Sequence, residues 1–222
     1  MARSVPCGIL QEVRKVKKVI TIGREFGSGG REIGRRIAEK LQIAYYDQEI
    51  VTEIAKRTKL SEKYVERITE DRPYMAYPIH AGRSFHTVYY AYTELDRSLT
   101  VLAEQHNIIK ELAEKSDCVI VGRCADYILK EKAPFRIFVY ADAESKLKRC
   151  RERSPEDENL SDSKIRRNIR SIDKGRARYY NYFSQQRWGA RENYDLLINS
   201  SGKDVKQVSE AVADYLKRYL FE

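Results

Sequence analysis

The sequence predicts a doubly wound α/β domain, a parallel sheet of about five strands between helical layers. Three observations carry that expectation. Short apolar, β-branched runs alternate with longer segments of amphipathic helical period. A glycine cluster sits where the first such run meets the first helix. No segment repeats at the fixed period of a solenoid or array.

Val19-Ile20-Thr21-Ile22 reads as the first buried strand. Gly23, Gly27, Gly29 and Gly30 follow, then a helix with Ile33, Ile37 and Leu41 on one face and Arg35, Arg36, Glu39 and Lys40 on the other. Strand, glycine loop and helix start, in that order, make an anion site. Glycines reach positive φ and crowd backbone N–H groups together, and the helix N-terminus adds unpaired donors. In the common phosphate-loop pattern a lysine and a hydroxyl residue come next. Here Gly30 stands at the lysine position, and Arg31 and Glu32 stand where the hydroxyl residues follow it. The loop keeps its backbone donors and lacks both chemical side chains.

Residues 43–46 predict a second strand ending in Asp47, with helices over 48–57 and 61–69. Residues 71–86 hold two prolines and a glycine without a period, and read as a loop or flap. From 85 to 115 the chain is helical. Val88, Tyr92, Leu95, Leu99, Leu102, Ile109 and Leu112 form the expected buried stripe, with His106 as a semi-buried member. Residues 118–121 (CVIV) predict a third strand ending in Gly122-Arg123, and 135–140 (FRIFVY) a fourth. A helix over 143–153 takes Asp142 as N-cap, and Ser154-Pro155-Glu156-Asp157 restarts the chain with a capping pattern. Residues 194–199 give a last strand, and 204–219 a closing helix facing inward through Val205, Val208, Val212, Tyr215 and Tyr219. Ligands of such folds bind at the C-terminal strand ends. Gly23, Gly27, Gly29, Gly30, Asp47 and Arg123 all lie there.

Composition narrows the class. In 222 residues, 42% hydrophobic and 34% charged content suits a globular chain with a substantial core. No apolar run approaches the roughly 20 residues of a membrane span. The basic N-terminus has no apolar stretch of a secretory signal, so the cytoplasm is expected, and residues 1–17 read as an extension or edge strand. Cys7, Cys118, Cys124 and Cys150 show neither C-x-x-C nor zinc spacing. The net charge of +9 suits an anionic partner, whether nucleic acid, a membrane surface or a polyanionic nucleotide, and bulk charge alone does not choose among them.

The densest arginine run spans 146–191, where Ile165, Ile169, Ile172, Tyr179 and Phe183 form a helical stripe. Arg176 falls on that stripe. An inward arginine is costly unless it is paired or holds an anion. Asp173, three residues from both Arg170 and Arg176, is spaced to pair with either. The aromatic-basic string RARYYNYFSQQRW (176–188) admits a stacking clamp for nucleic acid, but its helical spacing favours core packing.

In combination, ITIGREFGSGGREIGRRIAEKL, the YYDQEI after it, CVIVGRCADYIL, and the D-x-x-R with YYNYF at 173–183 resemble the cytidylate kinase-like family. This is a branch of the P-loop nucleoside monophosphate kinases, and the resemblance runs from about Lys18 to Phe221. It implies a P-loop kinase-type three-layer sandwich over 18–222. Acceptor-side helices would span about 48–115 and a lid about 149–180. It implies ATP and Mg²⁺ as cofactors and a small phosphorylated acceptor such as CMP or dCMP. Gly27, Ser28, Gly29 and Gly30 would cradle donor phosphates, with Arg31 and Glu32 beside them. Asp47 and Arg123 would line the acceptor site, Arg149 would lie near the lid, and Asp173 and Arg176 at its far end. The family's Gly-Arg-Asp is here Gly122-Arg123-Cys124, with Asp126 the nearest substitute carboxylate. Arg24, Arg31 or a lid arginine would have to supply the charge of the missing lysine. A kinase is the first expectation. A nucleotide-binding protein without turnover is the alternative, and an RNA-binding protein a lesser one.

Overall fold

The structure is a computed structural model describing residues 17–70, 85–153 and 160–222, with side chains from residue 95 onward in the helix that begins at 85. Residues 1–16, the flap expected over 71–86 apart from its last two residues, which are helical, and the 154–157 capping pattern lie outside the described residues. So do the side chains of Val88 and Tyr92.

The five expected strands form one sheet. They are β1 (Val19–Arg24), β2 (Ala44–Tyr46), β3 (Cys118–Val121), β4 (Phe135–Tyr140) and β5 (Leu196–Asn199). Their order is β2-β3-β1-β4-β5, and every neighbouring pair is parallel. Strands buried on both faces read as continuous apolar runs, and all four residues of β3 are buried. The helices are α1 (Gly30–Leu41), α2 (Gln48–Thr58), α3 (Glu62–Glu70), α4 (Phe85–Lys115), α5 (Ala125–Ile128), α6 (Ala143–Glu152), α7 (Asp162–Ser184) and α8 (Val205–Leu216).

The two-residue period of the strands sorts the core into two layers. Ile20, Ile22, Val119 and Val121 face α1 and α8, meeting Ile33, Ile37, Ala38, Ala213 and Leu216. Val19, Cys118 and Ile120 face the other way, toward Ile50, Ile54, Val65, Ile68, Val101, Ile109 and Ala125 of α2 to α5. Adjacent β1 and β3 therefore leave the sheet toward opposite faces, β1 into α1 and β3 into α5. This opens a crevice at their C-terminal ends. In register, Ile22 lies beside Val121, so the glycine loop after β1 and Gly122-Arg123 after β3 emerge side by side.

Two expectations are corrected in part. The buried face of α4 runs through Ser98, Val101, Gln105, Ile108 and Ile109, whereas Leu99 is 56% exposed and His106 is exposed. Two positions on that face are polar, so a hydrophobic stripe drawn through Leu99 and His106 is rotated away from it. In α8 Val205, Val208 and Val212 pack on the core as expected, beside the fully buried Ser209, Ala213 and Leu216. Tyr215 and Tyr219 are largely exposed, stacked on each other beside Phe135. The short α5 was not foreseen. In α7 the inward stripe is as expected, and Gly175 is buried in an unbroken helix.

Ile109→Ala removes a fully buried side chain and is expected to cost about 2–5 kcal/mol. Leu99→Ala on the same helix should stay within about 0.5 kcal/mol. Urea midpoints measure both, and equal losses would contradict the α4 face described.

Candidate functional site

The loop between β1 and α1 turns through Gly27 (φ 74°) and Gly29 (φ 82°), both left-handed. Its carbonyls are tied from behind. Ser200, just past β5, donates its hydroxyl to Ser28 O at 2.7 Å, and Arg149 of α6 donates to Gly27 O at 3.4 Å. In a trans peptide N–H and C=O point oppositely, so anchoring Ser28 O turns the Gly29 N–H the other way. Gly29, the N-cap of α1, has no side chain to cap the first turn; the Gly30 N–H makes only a long contact to Ser28 Oγ at 3.4 Å, which an anion could displace. Lys146 of α6, nearly buried, reaches Glu25 at 2.7 Å and Asp173 at 2.9 Å, while Asp173 also accepts from Phe26 N at 2.6 Å. The loop is thus clamped to α6 and α7 through buried charges.

Asp173 consequently turns toward Lys146 and the loop backbone, not toward Arg170 or Arg176 as its spacing suggested. Arg149 spends its guanidinium on Gly27 O, Ser200 O, Ser200 Oγ and Lys203 O. Glu32 pairs with Arg36 and Arg153, so its carboxylate is neutralised beside the loop. Arg31, about half exposed, pairs with the buried Asp47 at 2.5 Å. The second oxygen of Asp47, Oδ1, is buried with no hydrogen-bond partner among the described residues.

Beyond the loop, three arginines converge on one carboxylate. Arg24, at the end of β1, donates to Glu70 Oε1 at 3.2 Å, and Arg176 donates to Glu70 Oε2 at 3.2 Å. Arg123 Nη2 lies 4.0 Å from Glu70 Oε1, and its Nη1 donates to Thr69 Oγ1 at 2.5 Å. Gly122, Arg123 and Cys124 all have positive φ (74°, 56° and 53°), and for the last two that conformation stores strain. Gln105 of α4 holds this turn, its amide donating to Arg123 O at 3.2 Å and Tyr179 Oη at 2.7 Å. The cluster carries three positive charges against one negative. Arg123 Nε and Nη2 and Arg176 Nε are buried and make no hydrogen bond among the described residues, the Glu70 carboxylate lying beyond hydrogen-bond reach of Nη2. Burial alone would raise the Glu70 pKa, but Arg24, Arg176 and Arg123 outweigh it and hold it at about 2. Burial, with Arg24 adding to it, pushes Arg176 down to about 10 despite Glu70, so it stays charged at neutral pH.

Two cavities meet here. One, of about 500 Å³, runs along the loop and is lined by Gly27, Gly29, Arg24, Arg149, Arg153 and Arg176, among others. The smaller one lies behind it, among Thr21, Cys124, Asp126, Tyr180, Trp188 and Tyr194. Burial keeps the Cys124 thiol neutral, so it cannot stand in for a carboxylate. Asp126 lines the same cavity and accepts from Tyr180 Oη at 2.8 Å, and burial raises its pKa. Tyr179 and Tyr180 pack on Cys124, with Phe183 and Trp188 against them, so most of the aromatic string is core.

Sequence reasoning missed Glu70, Lys146, Gln105 and Ser200. Each is a common residue in an ordinary amphipathic or turn context, and only the tertiary fold brings it to the site.

Glu70 supplies the acid sensitivity of this cluster. Its folded pKa of about 2 lies below the ordinary glutamate value of 4.5, so its contribution is present above pH 4.5 and is lost as pH falls toward 2. Glu70→Gln should be less stable at neutral pH and show a shallower loss of Tm across that window. A titration of Tm against pH with the wild-type slope in the variant would contradict this assignment.

Comparison with known proteins agrees with this geometry. Residues 19–202 match the model of the cytidylate kinase-like family. No curated protein matches the chain. An uncharacterised protein from Eubacterium ventriosum is similar at 26% identity and TM-score 0.64, covering 90% of this chain and 99% of its own. Shikimate kinase from Acinetobacter baumannii, solved with shikimate, shares the fold at 14% identity and TM-score 0.52, over 94% of this chain and 97% of its own. Shikimate kinase from Bacteroides thetaiotaomicron does so at 16% identity and TM-score 0.53, over 91% and 98%. The sheet with its flanking helices is thus a P-loop kinase-type α/β fold, and the chain belongs to the cytidylate kinase-like family.

Proposed function

We propose that the protein is a nucleotide kinase that transfers the γ-phosphoryl group of ATP to CMP, dCMP or a related small phosphorylated acceptor. The observation that carries this reading is the buried excess of positive charge where Arg24, Arg123 and Arg176 share Glu70, with guanidinium N–H groups left unpaired. Such a cluster is costly without an anion and favourable with one. An acceptor phosphate would take the free donors of Arg123 and Arg176. The backbone donors of Gly27, Ser28, Gly29 and Gly30 would hold the donor phosphates in the cavity of about 500 Å³, a volume suited to a nucleotide. Arg31 lines the same cavity from the helix start, and Arg149 fixes the loop from behind.

The residues also fit magnesium, though not at the usual position. Arg31, directly after the lysine position, has no hydroxyl to offer, and the carboxylate of Glu32 beside it is already neutralised by two arginines. Asp47 offers a free, hard oxygen close to the loop helix, and among the described residues no group of three or more potential ligands competes for it. Mg²⁺ characteristically accepts one or two carboxylates and completes its shell with phosphates and water. Bound there, the ion would neutralise phosphate charge. In this reading 18–222 acts as one kinase domain, with the helices of 48–115 on the acceptor side. The 149–180 region is the lid, carrying Asp173 and Arg176 and excluding water when closed. Among the described residues no helix is long and apolar enough to cross a membrane.

An ADP-release assay across nucleoside monophosphates, with shikimate as a hydroxyl acceptor, tests the reading. Turnover with a pyrimidine monophosphate is expected. Arg123→Ala should lower kcat/KM for that acceptor about 100-fold or more, since it removes charged hydrogen bonds from a buried site. ATP binding without turnover on any acceptor would favour the nucleotide-binding alternative. Turnover on shikimate alone would replace the acceptor class.

A further inference from the structure

Gly30 stands where the phosphate loop ordinarily carries its lysine, and the structure contains a physical reason for the glycine. A Cβ on Gly30 would lie 2.5 Å from Arg24 Cβ and 3.2 Å from Arg24 Cγ. At its far end, a Cβ on Gly122 would lie 1.8 Å from Arg24 Nη1. The Arg24 side chain therefore runs through a channel walled by two positions that have no side chain. One wall is the lysine position itself. A lysine at 30 and Arg24 in this path exclude each other, because contacts below 3 Å between carbon atoms are repulsive.

The channel leads to the junction of the two cavities, since Arg24 lines both. The other arginines near the loop are committed differently. Arg31 is about half exposed and paired with Asp47. Arg149 is spent on three backbone carbonyls and Ser200. Arg123 is buried against Thr69 and lines neither cavity. Arg176 lines both, but it comes from α7 in the proposed lid, whereas Arg24 is fixed at the end of a central strand.

We infer that Arg24 is the cation that replaces the loop lysine, reaching the terminal phosphate of ATP from the strand before the loop instead of from the helix after it. The inference rests on the kinase reading and deepens it. In the transfer, an acceptor phosphate oxygen forms a bond to the γ-phosphorus. The bond from that phosphorus to the β,γ-bridging oxygen breaks, and ADP leaves with the electron pair. Charge spreads over the oxygens of the moving phosphoryl group, and a fixed guanidinium meets that demand as an ammonium would.

Calorimetric titration with MgATP and MgADP, beside thermal unfolding, tests this in wild type, Arg24→Ala, Arg24→Lys, Glu70→Gln, Gly30→Lys and the double variant Arg24→Gly/Gly30→Lys. Arg24→Ala should weaken ATP about 10- to 100-fold, as loss of a charged hydrogen bond does, and ADP by less than about threefold. Arg24→Lys should recover part of the ATP affinity. Glu70→Gln, which disturbs the cluster but keeps Arg24, should not abolish the preference for ATP over ADP. Gly30→Lys alone should bind ATP poorly, and the double variant should bind it better, because the swap restores a single cation in the shared space. An ATP-to-ADP affinity ratio unchanged in Arg24→Ala would overturn the inference. Should that variant fail to fold, a double variant no better than Gly30→Lys does the same. A wild type that binds no ATP overturns the kinase reading and this inference together. A wild type that binds ATP but phosphorylates no acceptor overturns the kinase reading alone.

Discussion

The site depends on one carboxylate. Glu70 gathers Arg24 from the sheet, Arg123 from the turn after β3 and Arg176 from α7, three elements far apart in sequence. Without it, three guanidinium groups would face one another in a buried place, at a cost of several kcal/mol per uncompensated charge. With it, the cluster holds together but keeps a surplus of positive charge. In the proposed kinase that surplus would be neutralised by a phosphate.

A second set of buried charges performs a complementary task on the loop. Lys146 bridges Glu25 and Asp173, and Asp173 takes the Phe26 N–H. Arg149 and Ser200 hold two loop carbonyls. The backbone donors are thus oriented before any anion arrives, which reduces the ordering cost of binding. Both networks cross between the sheet and α6 or α7, so loop geometry and the position of α7 are coupled. In the proposed kinase, movement of α7 as a lid would then also move the phosphate loop.

Much of the fold was legible in the sequence, because each strand is a short apolar run bounded by turn residues and buried on both faces. The inward turn of Arg176 was legible for the same reason, since it interrupts an apolar stripe at helical spacing. The buried face of α4 was not. Ser98 and Gln105 lie on it, and Gln105 is there to bond the Arg123 carbonyl and Tyr179, a demand that hydrophobic periodicity cannot register. Glu70 was equally hidden, as a glutamate ending an amphipathic helix reads as solvated surface. Asp173 was recognised as important from spacing but given the wrong partner. Its true partner, Lys146, lies 27 residues away on another helix. Local pattern reveals which side chains turn inward. Which charges then meet is set by how the helices dock on the sheet.

The central claim is that the unpaired nitrogens of Arg123 and Arg176 are there for a phosphate. A crystal structure grown with CMP, or with sulfate in its place, tests it most directly. The account predicts an anion hydrogen-bonded to Arg123 Nη2 and Arg176 Nε, with Glu70 still bridging Arg24 and Arg176. Those nitrogens bound instead to a protein carboxylate, with no anion between them at saturating ligand, would contradict it.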